Sequence, residues 1–215
     1  MGKGAETRER ILDIAQASVL AKGFGATSID EIIAEAGITK SGFFYHFKDK
    51  NELAREMLRR FIDENDRVFD EIFSRGRELS DDPLQALLIS LKLLAEVLRD
   101  AQTQHPGCLV ASICYQERLF DREVVDLAKQ GTMNWNARFR SHFAEIAAIY
   151  PPRGARVEDL ADTLACVIDG GIILARLMND PGRLERQVLN FRSLVGLVFS
   201  PDAAASKPLR VASAA

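Results

Sequence analysis

Thr27-Ser28-Ile29-Asp30-Glu31-Ile32-Ile33-Ala34-Glu35-Ala36-Gly37-Ile38-Thr39-Lys40-Ser41-Gly42-Phe43-Phe44-Tyr45-His46-Phe47-Lys48-Asp49-Lys50-Asn51-Glu52-Leu53 reads as a helix, a glycine turn, a short helix and the start of a third. Ser28 with Glu31 three residues on makes a capping box. Ile29, Ile32 and Ile33 fall on one face at helical spacing. Ala34 is small, as a close helix crossing requires. Gly37 stands where the chain turns, because glycine enters the left-handed region without penalty. Ile38 plugs the turn, and Thr39 is the N-cap of the next helix. Phe43 and Phe47 are four apart and read as core. Lys40, Ser41, Gly42, Phe44, Tyr45 and His46 are left for the outer face and the helix ends. A cation, a hydroxyl, bare backbone and aromatic rings suit phosphates and base edges. Asp49 caps a further helix, with Glu52 completing a second capping box. Lys50 falls in its first turn, where a cation opposes the helix dipole, and this predicts a phosphate beside it. The pattern is that of a helix-turn-helix, whose second helix lies in the major groove of DNA. The competing reading is an aromatic core of a small helical domain, but the capping boxes, Gly37 and Lys50 in register disfavour it.

Working outward, the run joins Thr7-Arg8-Glu9-Arg10-Ile11-Leu12-Asp13-Ile14-Ala15, then Gly23-Phe24 with Thr27-Ser28, then Gly37-Ile38, and finally Phe44-Tyr45-His46-Phe47-Lys48-Asp49-Lys50-Asn51-Glu52-Leu53. In this spacing, over roughly the first quarter of the chain, the sequence resembles the N-terminal domain of the TetR family of transcriptional regulators. The resemblance implies DNA contacts from Thr27, Ser28, Thr39, Lys40, Ser41, Gly42, Phe44, Tyr45, His46 and Lys50. It also implies a dimer built on a four-helix interface from the last two helices of each chain, and an inducer pocket in the second domain. Many relatives carry Leu-Tyr where this chain has Phe43-Phe44, so Phe44 has no hydroxyl to offer a phosphate.

Composition sets the outer limits. The chain has 215 residues, 47% hydrophobic and 27% charged, ordinary for a globular protein. Its net charge is −3, and residues 1–50 carry seven basic and seven acidic side chains. Attraction to DNA must therefore come from arrangement, with Lys40, Lys48 and Lys50 around the recognition helix, and the acidic remainder discourages indiscriminate binding. No uncharged stretch is long enough for a membrane span. The opening Met1-Gly2-Lys3-Gly4-Ala5-Glu6 lacks a signal-peptide core, and Glu6 does not suit myristoylation. A cytoplasmic location is expected. The three cysteines, at 108, 114 and 166, have no disulfide or zinc spacing. His142 with Glu145 reverses the order used by di-iron bundles. No metal or cofactor is called for.

The rest of the chain reads as helix: about 5–21 with Ile11, Ile14, Ala15 and Ser18 inward, 50–74 ended by Gly76, and one opened by Asp82 as cap and Pro83 at its first position. Leu84, Leu87, Leu88, Leu91, Leu94 and Leu98 make that helix's buried stripe. After a break at His105-Pro106-Gly107 come helices at about 108–116, 123–149, 157–178 and 183–199. The expectation is an all-α protein of about nine helices: a three-helix DNA-binding domain over 1–50, a helical ligand-binding and dimerisation bundle over 51–200, and a disordered tail over 201–215. Leu164, Val167, Ile168, Ile172, Leu174 and Leu177 surround one of the last two helices almost completely. Leu184, Val188, Phe191, Leu194, Val195 and Val198 do much the same for the other. A helix apolar on more than one face is buried on more than one face, so a second copy should cover the far side, although a monomer burying both helices is the alternative.

Within these apolar helices lie polar and aromatic groups that packing does not need. Ser112, Gln116, Trp135, Asn136, Phe139, His142, Cys166 and Asp169 are examples, and Ser112, Gln116, Trp135, Phe139, Cys166, Asp169 and Ile173 are the candidate effector contacts, because a pocket is mostly apolar with a few placed polar groups. Pairing among themselves is the alternative for each. Cys108, at a helix start, is either a reactive sensor thiol or a small buried one. The reading that follows is a dimeric, DNA-binding repressor, released from a palindromic operator when a small molecule in the bundle tilts the fourth helix. An activator is the nearest variant. The rival is a helical-bundle enzyme or small-molecule-binding protein without DNA-dependent function. No nucleophile-base pair or phosphate loop in the sequence supports an enzyme.

Overall fold

The computed structural model describes residues 2–104 and 107–200. The expected tail over 201–215, and His105 and Pro106 of the expected break, lie outside the described residues. Within them the chain forms α1 (Lys3–Lys22), α2 (Ile29–Ala36), α3 (Lys40–His46), α4 (Lys50–Leu79), α5 (Pro83–Gln104), α6 (Leu109–Tyr115), a 3-10 turn (Glu117–Leu119), α7 (Arg122–Ala147), α8 (Val157–Leu177) and α9 (Gly182–Val198), with no strand among the described residues.

Local sequence accounts for the helix starts. Ser28 Oγ accepts the Glu31 N–H at 3.1 Å and Glu31 Oε2 accepts the Ser28 N–H at 3.1 Å, so the first capping box is reciprocal. Gly37 takes φ 63°, ψ 37°, the left-handed stop after α2. Thr39 Oγ1 accepts the Gly42 N–H at 3.1 Å and starts α3. A cap of this kind contributes about 1 kcal/mol. The second capping box is not reciprocal. Asp49 Oδ1 does accept the Glu52 N–H at 2.8 Å, but the Glu52 carboxylate takes the Lys48 N–H at 2.7 Å instead of that of Asp49. The fully extended backbone at Asp49 presents the preceding amide to it.

Two hydrophobic cores result. The first unites Ile11, Leu12 and Ala15 of α1, Ile32 and Ala36 of α2, Phe43 of α3, Phe47, Leu53, Met57 and Leu58 of α4 and its approach, Leu109 and Ile113 of α6, and Val124 and Ala128 of α7. A division of the chain at residue 50 therefore runs through a shared core. The second unites Phe69 and Phe73 of α4 with Leu84, Leu87, Leu91 and Leu94 of α5, Phe139, Phe143 and Ile146 of α7, Leu160 and Leu164 of α8, and Phe191 and Val195 of α9. At 30 residues α4 is long enough to serve both. It spans about 45 Å at 1.5 Å per residue.

Three packing expectations are corrected. Ala34 is exposed, and Ala36 is the small residue buried at the crossing. Ile14 and Ser18, half-buried, do face inward, Ile14 onto the first core and Ser18 onto Thr27. Gly76 does not end α4, which runs to Leu79; it is buried within the helix, where α5 crosses it. A Cβ there would lie 2.6 Å from Ala86 O and clash with Ser90 Oγ. On α9, Leu184, Val188, Phe191, Val195 and Val198 are all buried inside the protomer, leaving Leu194 and Leu197 exposed.

Candidate nucleic-acid interface

Helix α3 is held by the two phenylalanines read as core, with Phe43 at 0% and Phe47 at 1% exposure. Their rings lie 5.8 Å apart, and the Arg8 guanidinium stacks 5.1 Å from the Phe47 ring. With that face committed inward, the opposite face is fixed outward. Tyr45 is 83% exposed and Phe44 42%. Phe44 meets the Phe43 ring edge-on at 5.4 Å, and Tyr45 meets His46 edge-on at 5.0 Å, so the aromatic side chains are ordered by one another. Lys40 stands exposed, 3.9 Å from the equally exposed Asp30 carboxylate, a pair that holds it only weakly. Ser41 is exposed with its hydroxyl 3.0 Å from that of Thr39. Gly42, between them and the aromatic pair, presents backbone.

Two predicted contacts are spent inside the domain. Thr27 is 2% exposed; its hydroxyl donates to Gly23 O at 3.0 Å and lies 3.0 Å from Ser18 Oγ. It locks the α1–α2 connection and cannot reach a nucleic acid by its side chain. The reason is register: Thr27 precedes the N-cap and is turned back toward α1. Lys50 is also occupied. Its Nζ donates to Phe24 O at 2.6 Å and sits 4.1 Å over the Phe24 ring, and partial burial pushes its pKa down, with Glu31 acting the other way. A carbonyl and a ring, rather than a phosphate, account for a cation in this first turn. Lys48, read with Lys40 and Lys50 as the charge around the recognition helix, is exposed, and its side chain has no partner among the described residues. Ser28 is exposed, but its hydroxyl is the N-cap acceptor of α2.

The residues expected to line an effector pocket are not brought together. Trp135 and Phe139 belong to an aromatic cluster with Phe69 and Phe73, with ring separations of 4.9–6.2 Å among Trp135, Phe139 and Phe69. Ser112 donates to Cys108 O at 3.1 Å within its own helix. Gln116 accepts from the Gly25 N–H at 3.0 Å. Cys166, Asp169 and Ile173 share the exposed side of α8. Asp169 faces the Cys108 thiol, and partial desolvation raises its pKa. Burial, with the nearby Asp169 carboxylate adding to it, pushes the Cys108 thiol up to about 11, away from the thiolate that a sensor cysteine needs. A cleft of about 170 Å³ lies elsewhere, where the end of α4 meets α5 and α7, lined by Phe73, Arg77, Leu87, Ser90, His142 and Glu145 among others. There His142 stacks on Phe73 at 4.2 Å, and desolvation lowers its pKa, helped by Arg77. Among the described residues no cluster of three or more His, Cys, Asp or Glu forms a metal-binding group.

Comparison with known proteins fits this arrangement. Residues 11–57 match the family model for bacterial regulatory proteins of the tetR family. The HTH-type transcriptional regulator AcrR of Shigella flexneri is 42% identical over 52 residues, 24% of this chain and 24% of that protein. The match therefore spans about a quarter of that relative's length. An HTH-type transcriptional regulator of Bacillus subtilis, YxaF, is 24% identical over 187 residues, covering 84% of this chain and 90% of its own. The solved TetR-family transcriptional regulator from Agrobacterium tumefaciens superposes with a TM-score of 0.78 at 16% identity, covering 92% of this chain and 100% of that one. That likeness carries the fold of the whole bundle, while the sequence match carries the reading head. The helix-turn-helix segment of the chain thus matches the model of the tetR family of bacterial regulatory proteins, and nearly the whole chain shares its fold with a solved TetR-family regulator.

Proposed function

We propose that the protein is a dimeric, DNA-binding transcriptional repressor that leaves a palindromic operator when a small molecule binds its helical bundle. The observation that carries this is α3: Phe43 and Phe47 fix its inner face, so Phe44, Tyr45, Lys40 and Ser41 are displayed outward on a rigid element. Base edges fall to Lys40, Phe44, Tyr45 and His46. Phosphates fall to Ser28, Thr39, Ser41, Gly42 and Lys48 in this reading. Dimerisation through α8 and α9 is supported by the large apolar side chains that the two helices leave exposed. Ile173, Leu174, Leu177 and Met178 are 44%, 38%, 75% and 59% exposed, and Leu194 and Leu197 are 41% and 69% exposed. Large apolar side chains left uncovered on neighbouring helices favour an interaction surface there. An effector in the bundle would act on α4, which shares both cores and therefore moves the reading head when its far end shifts.

A gel shift with DNA flanking the gene, followed by footprinting, tests the reading. A single two-fold protected site, released by a compound found in a thermal-shift screen, is the expected result. Protection of one half-site by a stable monomer, or no sequence-specific shift at all, would overturn it. Transcription from that promoter in a reporter strain separates repressor from activator.

A further inference from the structure

The connection between α1 and α2 is gripped by a distant part of the chain. The Gly25 N–H, which belongs to no helix, donates to Gln116 Oε1 at 3.0 Å across 91 residues of sequence. The Gln116 amide also lies along Gly23, where a Cβ would stand 3.1 Å from Nε2, and Leu119 closes on Gly25, where a Cβ would stand 3.1 Å from Cδ1. Between them Phe24 is 3% exposed, with its ring centroid 4.2 Å from that of Phe120. The far side of the same connection is tied down by Lys50 on Phe24 O and Thr27 on Gly23 O.

The gripping element is itself anchored. The α6–α7 turn, residues 116–121, docks on the first turns of α4: the Asp121 N–H donates to Asn51 Oδ1 at 3.1 Å, and Arg55 pairs with Asp121 at 3.1 Å and with Glu123. Gln116 lies just past the end of α6, and its side-chain oxygen serves no acceptor role in its own helix. A donor left between two helices needs a partner or water, and here the bundle supplies the partner.

We infer that Gln116 is a positioning residue for DNA binding: by holding the Gly25 amide it fixes the α1–α2 connection on the α6–α7 turn and so sets the stance of α2 and α3 on the bundle. The inference rests on the DNA-binding reading above. Holding the reading head in one orientation removes an ordering cost that would otherwise fall on complex formation. Through the same turn, displacement of α6 or α7 reaches the head by a path separate from α4.

Full-length Gln116→Leu and Gln116→Glu test it, the first removing the acceptor at similar size and the second keeping it. Hydrogen exchange over residues 23–28, operator affinity by gel shift and thermal unfolding are measured on both. For Gln116→Leu we expect faster exchange across 23–28 and operator binding weaker by about fivefold to tenfold, the span of one hydrogen bond. Its melting temperature should stay close to that of the parent, and Gln116→Glu should restore both other readouts. Parental exchange or parental operator affinity in Gln116→Leu overturns the inference. So does a fall in melting temperature shared by both variants, which marks Gln116 as merely structural. If the parent protein binds no operator, the DNA-binding reading falls by itself, and the exchange comparison still decides whether Gln116 holds the connection.

Discussion

At the scale of single residues, the lysines around α3 divide by what already occupies them. Lys48 is exposed, while Lys50 has a carbonyl and a ring. Lys48→Ala should therefore weaken DNA binding on all sequences alike and reduce the salt slope by about one unit. Lys50→Ala should instead lower the melting temperature, because Phe24 O loses its donor. Binding titrations across salt, set beside thermal scans, check both; a parental salt slope for Lys48→Ala would remove it from the interface. His142 makes a pH prediction. Its folded pKa lies below the ordinary value, first through desolvation, then through Arg77 and Arg138, with Glu145 opposing. The folded state thus binds fewer protons than the unfolded one as pH falls below about 6.5, the ordinary histidine value, and stability declines in that window. The lowered carboxylates Glu56, Asp82 and Asp180 lose their contribution only further into acid. Melting temperatures at mildly acidic and neutral pH should converge in His142→Gln relative to the parent.

At the scale of elements, α4 and α5 are locked by the glycine at their crossing. Gly76→Ala gains helix propensity of about 1 kcal/mol, but its methyl meets Ala86 O and Ser90 Oγ. Overpacking of this kind costs about 1–3 kcal/mol, so the net effect is a loss of stability. Ser90→Ala in the same chain should return only part of it, since the Ala86 carbonyl remains. Denaturant unfolding of the single and double variants measures this. The same glycine shows where sequence reading stops. The starts of α2, α3 and α4 were legible because a cap and its amide lie within three residues of each other. Gly76 was read as a helix stop because a glycine that ends a helix and one that admits a neighbour look alike until the neighbour is known. Thr27 is buried and its neighbour Ser28 exposed because of how the α1–α2 connection turns, which composition does not carry. Gln116 looked like a polar group in want of a ligand, and its partner sits 91 positions away. Similarly, Val195 and Leu197 are both apolar on one helix, and only the packing of α5 and α8 decides which is inside.

For the whole molecule, the assembly surface can be probed without disturbing the protomer. Leu197, 69% exposed, tolerates a charge in a single copy. Opposite a second copy, an unpaired buried charge costs roughly several kcal/mol. Leu197→Asp should sediment as a folded monomer with an unchanged helical spectrum and lose two-fold operator binding. Val195→Asp would report on folding instead, since Val195 is fully buried in the protomer core. A tight Leu197→Asp dimer would move the interface elsewhere.

The first core also bears on how freely this protein can be taken apart. Leu109, Ile113, Val124 and Ala128 pack among the side chains of α1 to α4, and Arg176 of α8 donates to Ala21 O at 2.9 Å. A fragment ending after the helix-turn-helix would carry an apolar floor with nothing beneath it. A chimaera that grafts these first helices onto a relative's bundle would seat Phe24 and Gly25 on foreign loops. The workable seam for exchanging specificities is therefore not a cut in the chain but a patchwork: the opening helices must travel together with residues 109–128 and position 176. Swapped in that form, a reading head and its sockets would move as one inheritable part.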